Sequence, residues 1–138
     1  MYKRQYAIQA RPDLSYDPNP NATPKLALLS TVEVAQGRNA DFDNLIKIEV
    51  LPVMKKAQVN GYLVSQVIYG GNANQYYSLV LYDTFADIGK GHPFVRVRGD
   101  EGAARLGQKA TGIVTRVERS ILRYVPDLSF VVKPTSSN

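Results

Sequence analysis

Alternation and helical spacing of apolar residues divide most of this chain into strands and helices. From Lys25 to Val34, "KLALLSTVEV" places Leu26, Leu28, Ser30, Val32 and Val34 on one face of a strand and Ala27, Leu29, Thr31 and Glu33 on the other. Both faces are largely apolar, as in a strand covered on two sides. "GRN" breaks the pattern, and Asn39 or Asp41 stands where a helix cap is needed. Phe42, Leu45, Ile46, Val50, Val53 and Ala57 then repeat at helical spacing, with Pro52 inside the run. A proline there removes one backbone bond, which predicts a kink or a break into two segments near Ile48.

Two period-2 runs, residues 62–69 and 75–82, flank a Gly and Asn cluster and predict a β-hairpin. Thr84 and Asp87 form a capping-box pattern for a helical turn ending at Gly89. Pro93 suits a first helical position, and Ala103, Leu106, Ala110 and Ile113 make a sparse apolar stripe behind it. Gly99, Gly102, Gly107 and Gly112 weaken that helix by around 1 kcal/mol each relative to Ala wherever they fall in its interior. Residues 116–125 alternate again and stop at Pro126.

The order β-α-β-β-α-β predicts a ferredoxin-like α+β fold, a four-stranded antiparallel sheet with both helices on one face. The uncovered face would also be apolar, and the economical cover is an identical subunit, hence a homodimer. Residues 1–24 read as an N-terminal arm and Pro-rich connector, 25–131 as the domain and 132–138 as a C-terminal tail. The arm alternates and ends in "PDLSY" at residues 12–16, while the last strand ends in "PDLSF" at 126–130. Sliding the chain by 114 residues lays "YAIQARPDLSY" over "SILRYVPDLSF". Two explanations stand: the arm is the end of a preceding related domain in a tandem pair, or "PDLS" is simply a favourable strand exit. Either way, residues 2–16 are expected to pair as an extra strand or arm.

Composition narrows the chemistry. The 138 residues suffice for one core without staples, and the absence of cysteine removes disulfides, thiolate metal sites and cysteine nucleophiles together. Lys and Arg number 17 against 12 Asp and Glu, but they are dispersed among acids rather than massed, so no nucleic-acid partner is expected. No run approaches the roughly 20 apolar residues of a membrane span, and the N-terminus has no apolar core of a signal peptide. A cytoplasmic protein with no membrane partner is the expectation, or an exported one had a signal peptide been removed.

The stretch "KKAQVNGYLVSQVIYGGNANQYYSLVLYDTFADIGKGHPF", followed by "GDEGAARLGQKATGIVTRVERSILRYVPDLSF", resembles a bacterial group of unassigned activity within the dimeric α+β barrel superfamily, near NIPSNAP-type proteins. The resemblance covers about residues 25–131. It implies two ferredoxin-like sheets packed face to face. That superfamily includes cofactor-independent monooxygenases and haem-handling enzymes as well as proteins of no known activity, so it implies no single chemistry. Its haem-degrading and quinone-forming branches look to have a tryptophan-containing site, and this chain has no Trp.

Candidate chemistry is sparse. His92 in "GKGHPF" is the one histidine, a weak candidate for a general base or haem ligand and otherwise a turn residue or helix cap. No metal-ligand spacing occurs, and no metal or cofactor is expected. Tyr76, Ser78 and Tyr82 share one face of the hairpin's second strand, a row of hydroxyls beside apolar walls suited to a phenolic or quinone-like ligand. The same hydroxyls would equally serve to bond across the sheet or a dimer seam. Three functions follow: binding of a small apolar or aromatic molecule, a cofactor-independent monooxygenase of the antibiotic-biosynthesis type, or a structural dimerisation module.

Overall fold

A computed structural model of the chain describes residues 7–21, 23–69, 74–125 and 129–134. Among the described residues six strands form one antiparallel sheet: β1 (Ala7–Ala10), β2 (Leu26–Val34), β3 (Tyr62–Tyr69), β4 (Gln75–Tyr82), β5 (Val114–Val125) and β6 (Ser129–Pro134). Their spatial order is β1-β3-β4-β2-β5-β6. The inner four have the ferredoxin-like arrangement. The four-strand expectation needs correction: besides the extra strand expected of the arm, found beside β3, β6 runs from the end of the expected domain into the tail and pairs beside β5. Each edge strand satisfies a row of backbone groups that an edge otherwise leaves open.

The helices are α1 (Asn39–Leu45), α2 (Leu51–Lys56), α3 (Phe85–Gly89) and α4 (Pro93–Ala110). A π-helical turn, Ile46–Val50, joins α1 to α2, so the break forced by Pro52 falls around Ile48 as its missing N–H requires. The cap expected of Asn39 or Asp41 is absent. The helix begins at Asn39 itself, whose side chain turns to Tyr76. In α3 the Thr84 Oγ1 accepts from the Asp87 N–H at 3.1 Å, as the capping box predicts. In α4 the regular helix is interrupted at Gly99, whose φ of 72° lies in the left-handed region that glycine tolerates best.

One core lies between the sheet and the helices. Phe42, Ile46, Val50, Val53 and Met54 from the first helical region and Phe94 from α4 meet Leu26, Val34, Tyr62, Val64, Tyr76, Val80 and Tyr82 of the sheet. A second cluster sits on the opposite sheet face. It comprises Ala27, Leu81 and Leu122 with Leu29, Leu63 and Leu79, drawn from strands alone. Ala27 is closed off because the register sets it between Leu81 and Leu122. Leu81 also lies over Gly61, where an added Cβ would come within 2.6 Å of its Cδ1.

The arm is built into the fold. β1 pairs with β3, placing Ala10 opposite Ser65. A single 3-10 turn, Pro12–Leu14, then carries Leu14 into the main core, where none of its surface is exposed. Ser15 Oγ accepts from the Val64 N–H at 2.9 Å and donates to the Arg11 carbonyl at 2.7 Å. Tyr16 and Tyr62 exchange backbone bonds, both at 2.7 Å. The second "PDLS" lies mostly outside the described residues.

Candidate functional site

A cavity of about 480 Å³ lies between the inner sheet face and the helices. Its walls are apolar: Phe42, Leu45, Ile46, Val50 and Met54 on one side, Phe94, Val95, Ala103 and Leu106 from α4 on another. Ile46 and Val50, the two ends of the π-helical turn, both lie on the cavity wall. The floor is the sheet, and the register arranges it in rows. Ser78 pairs with Ser30, and Ser30 with Arg119, giving one polar row across three strands. Flanking rows are apolar or aromatic, with Tyr76, Val32 and Val117 on one side and Tyr62 and Val80 on the other.

The four residues singled out from sequence do not act together. Tyr76, Ser78 and His92 all line this cavity. Tyr82 does not; it lines a separate polar recess with Asp83, Asp87, Lys90 and Arg96. Burial raises the Tyr82 phenol, with Arg96 opposing and Asp87 adding to the shift. Tyr76 offers its ring to the wall, tilted on Phe42 with centroids 4.5 Å apart, but its hydroxyl is already committed. It donates to Asp43 Oδ1 at 3.0 Å and accepts from Asn39 Nδ2 at 3.2 Å. Burial is the first cause of its raised pKa; the Asn39 bond works the other way, and Asp43 adds to the rise.

Asp43 in turn bonds Arg11 at 3.0 Å, and Arg11 reaches Asp13 at 2.9 Å and Gln66 Oε1 at 2.7 Å. This network ties the arm to α1 and β4. The Arg11 bond holds the Asp13 carboxyl down to about 2, and Asp13 and Asp43 together raise Arg11 above its ordinary value. The Tyr76 hydroxyl is therefore held by α1, and not by a bond across the sheet.

Of the residues singled out from sequence, Ser78 and His92 add polar groups to the cavity beside Ser30 and Arg119. Ser78 is paired with the hydroxyl of Tyr62, whose phenol is driven well above its ordinary pKa by nearly complete burial, the Ser78 bond opposing. Tyr62 therefore stays protonated. His92 is the N-cap of α4, its Nδ1 accepting from the Phe94 N–H at 3.2 Å, with Pro93 in the first turn behind it. Because Nδ1 is the acceptor, the neutral imidazole carries its proton on Nε2 and presents a donor rather than a base. Burial first, then the charges of Arg119 and Arg96, lowers its pKa from the ordinary 6.5.

Sequence inspection overlooked Ser30, Tyr62 and Arg119. Ser30 and Arg119 each interrupt an otherwise apolar alternation, Leu28-Ser30-Val32 and Val117-Arg119-Ile121. That signal was present, but only the register shows the two in one row with Ser78.

The depressed His92 pKa has a measurable consequence. In the window from about 6.5 down to its lower folded value, the unfolded chain binds more protons than the folded one, so stability falls as pH falls. His92→Asn keeps a cap acceptor and removes the titration. Urea unfolding between pH 7.5 and 5.5 should show wild type losing stability relative to His92→Asn, with parallel curves contradicting the assignment. His92→Ala at pH 7.5 should cost about 1 kcal/mol through the lost cap.

Among the described residues, no helix is long and apolar enough to cross a membrane, and no group of three or more His, Asp or Glu side chains is placed to hold a metal ion. No family model matches the sequence, and no curated protein matches it. Solved structures do. The crystal structure of a structural-genomics target protein from Agrobacterium tumefaciens aligns with a TM-score of 0.58 at 16% identity, covering 75% of this chain and 96% of that one. A provisionally assigned monooxygenase from Lactobacillus acidophilus aligns with a TM-score of 0.52 at 18% identity, over 93% of this chain and 53% of its own. The chain thus spans about half the length of the Lactobacillus protein. At such identities these likenesses establish the fold, a mixed α+β arrangement of ferredoxin-like type, and nothing finer.

Proposed function

We propose that this chain is a dimeric α+β barrel protein, of the group near the NIPSNAP-type proteins, that works in the cytoplasm and binds a small apolar or aromatic molecule between its sheet and helices. The observation that carries this is the cavity: about 480 Å³, apolar on its walls, with one polar row and a histidine at its margin. Small-molecule sites have this size and this ratio of apolar wall to fixed polar groups. The His92 Nε2–H would donate to a carbonyl or phenolic oxygen, and the Ser78 oxygen, its own O–H given to Tyr62, would accept from a phenolic hydroxyl, while the ring or chain fills the apolar space. The homodimer is supported by the all-strand cluster of Ala27, Leu29, Leu63, Leu79, Leu81 and Leu122, which a second sheet would cover.

An apolar fluorescent probe such as 1-anilinonaphthalene tests the cavity. It should bind with one site per chain and be displaced by small aromatic ketones or phenols. Ala103→Phe, which fills the space from α4, should reduce probe binding at least tenfold while circular dichroism stays unchanged. Equal binding by that variant would overturn the assignment.

A cofactor-independent oxygenase remains the second reading, supported by the likeness to the Lactobacillus protein. There His92 would donate to the oxygen of a deprotonated substrate instead of removing the proton. Oxygen uptake with hydroquinones or phenols, lost in His92→Ala, separates it from simple binding.

A further inference from the structure

The arm and the end of β5 share more than a strand exit. The arm residues that dock are Ser15, bonded to the Val64 N–H on the β3 edge at 2.9 Å; Leu14, fully buried in the core beside it; and Asp13, 3.5 Å from Lys47 Nζ in the π-helical turn. Tyr16 contributes through its backbone bonds to Tyr62. A strand exit calls for proline and a turn-forming Asp or Ser, but it has no use for leucine at the third place. Leucine is there because a socket in the core receives it. The second copy keeps the whole set, Pro126, Asp127, Leu128 and Ser129, with Phe130 where the arm has Tyr16. The docking residue that is not repeated is Arg11, the partner of Asp43, for which Val125 stands.

We propose that the socket along β3 is a receptor for both "PDLS" segments, and that residues 120–130 of a second copy of this chain occupy it when the arm leaves. Tyr124 of the second copy then lies opposite Ser65, where Ala10 lies in the closed chain. The donor gives up the pairing of its β5 with β6 and gains a β3 edge in exchange. The arm holds the advantage of belonging to the same chain and of the Arg11–Asp43 pair, so it acts as a built-in competitor. Because the donated and receiving surfaces differ, the contact is head-to-tail and extends the sheet from copy to copy. It uses the sheet edge, leaves the open leucine face free, and does not depend on the cavity binding anything.

Absence of native cysteine makes the test clean. Ala10→Cys with Ser65→Cys, a facing antiparallel pair, should close a disulfide within one chain and so report a folded, docked arm. Ser65→Cys with Tyr124→Cys, in a chain also carrying Arg11→Val to weaken the arm, should give disulfides between chains on mild oxidation, identified by peptide mapping. Adding Leu128→Asp should abolish them, and restoring Arg11 should reduce them severalfold. The proposal is overturned if the reference pair closes and no interchain link forms, or if the link persists with Leu128→Asp.

Discussion

Leu14→Ala should lower the unfolding free energy by about 3 kcal/mol, within the range for truncating a fully buried leucine. For a chain of this size that is a fall of very roughly 10 °C in melting temperature. The expectation is unusual for a residue in a proline-rich segment near a terminus, where substitutions ordinarily cost little. It follows from where the 3-10 turn points: Leu14 enters the same cluster as Val53, Met54 and Val64, and the Ser15 hydroxyl bonds a β3 N–H directly behind it. Ile8→Ala serves as the control, since Ile8 is 54% exposed on the same arm and should cost less than about 0.5 kcal/mol. Equal, small losses at both positions would show that the arm is not part of the cooperative core. Acid should loosen the same contact. Asp13 titrates at about 2 in the folded chain against an ordinary 3.8, so its share of the arm's attachment is present above 3.8 and is lost as pH falls towards 2.

Leu29→Arg should separate the proposed dimer, weakening association by roughly a hundredfold or more, about 2.7 kcal/mol. Leu29 sits centrally in the open-face cluster, opposite Leu79 on β4 and Ser120 on β5. Within a dimer a charge there would be buried without a partner, whereas in a separated protomer its guanidinium reaches water. The variant should therefore keep its circular dichroism and its cavity, yet sediment as a monomer at micromolar concentration. Unchanged sedimentation would move the interface elsewhere on the molecule.

Sequence pattern carried far in the regular elements. The hairpin strands fall at 62–69 and 75–82, the Thr84 cap forms, and Pro52 divides the first helix, because each depends on local spacing. Single-residue chemistry was harder to place. Asn39 is a good cap by type, but the buried hydroxyl of Tyr76 needed a donor, and that tertiary demand took it. The hydroxyls of Tyr76, Ser78 and Tyr82 share a face in sequence, yet one is held by Asp43 and another opens to a different recess. Only the pairing of β2 with both β4 and β5 reveals the row from Ser78 through Ser30 to Arg119. The arm was legible as a strand over Ala7–Ala10, residues 2–6 of that expectation lying outside the described residues. Its buried leucine was not, because a side chain entering a core from a proline-rich loop leaves no periodic trace.

Native mass spectrometry of the purified chain, at micromolar concentration and without added ligand, tests the central claim most directly. A dimer of two 15.3 kDa chains, carrying up to two equivalents of a small apolar or aromatic molecule that the Ala103→Phe variant does not carry, is the predicted result. A monomer with no adduct, or an adduct retained equally by that variant, would contradict it.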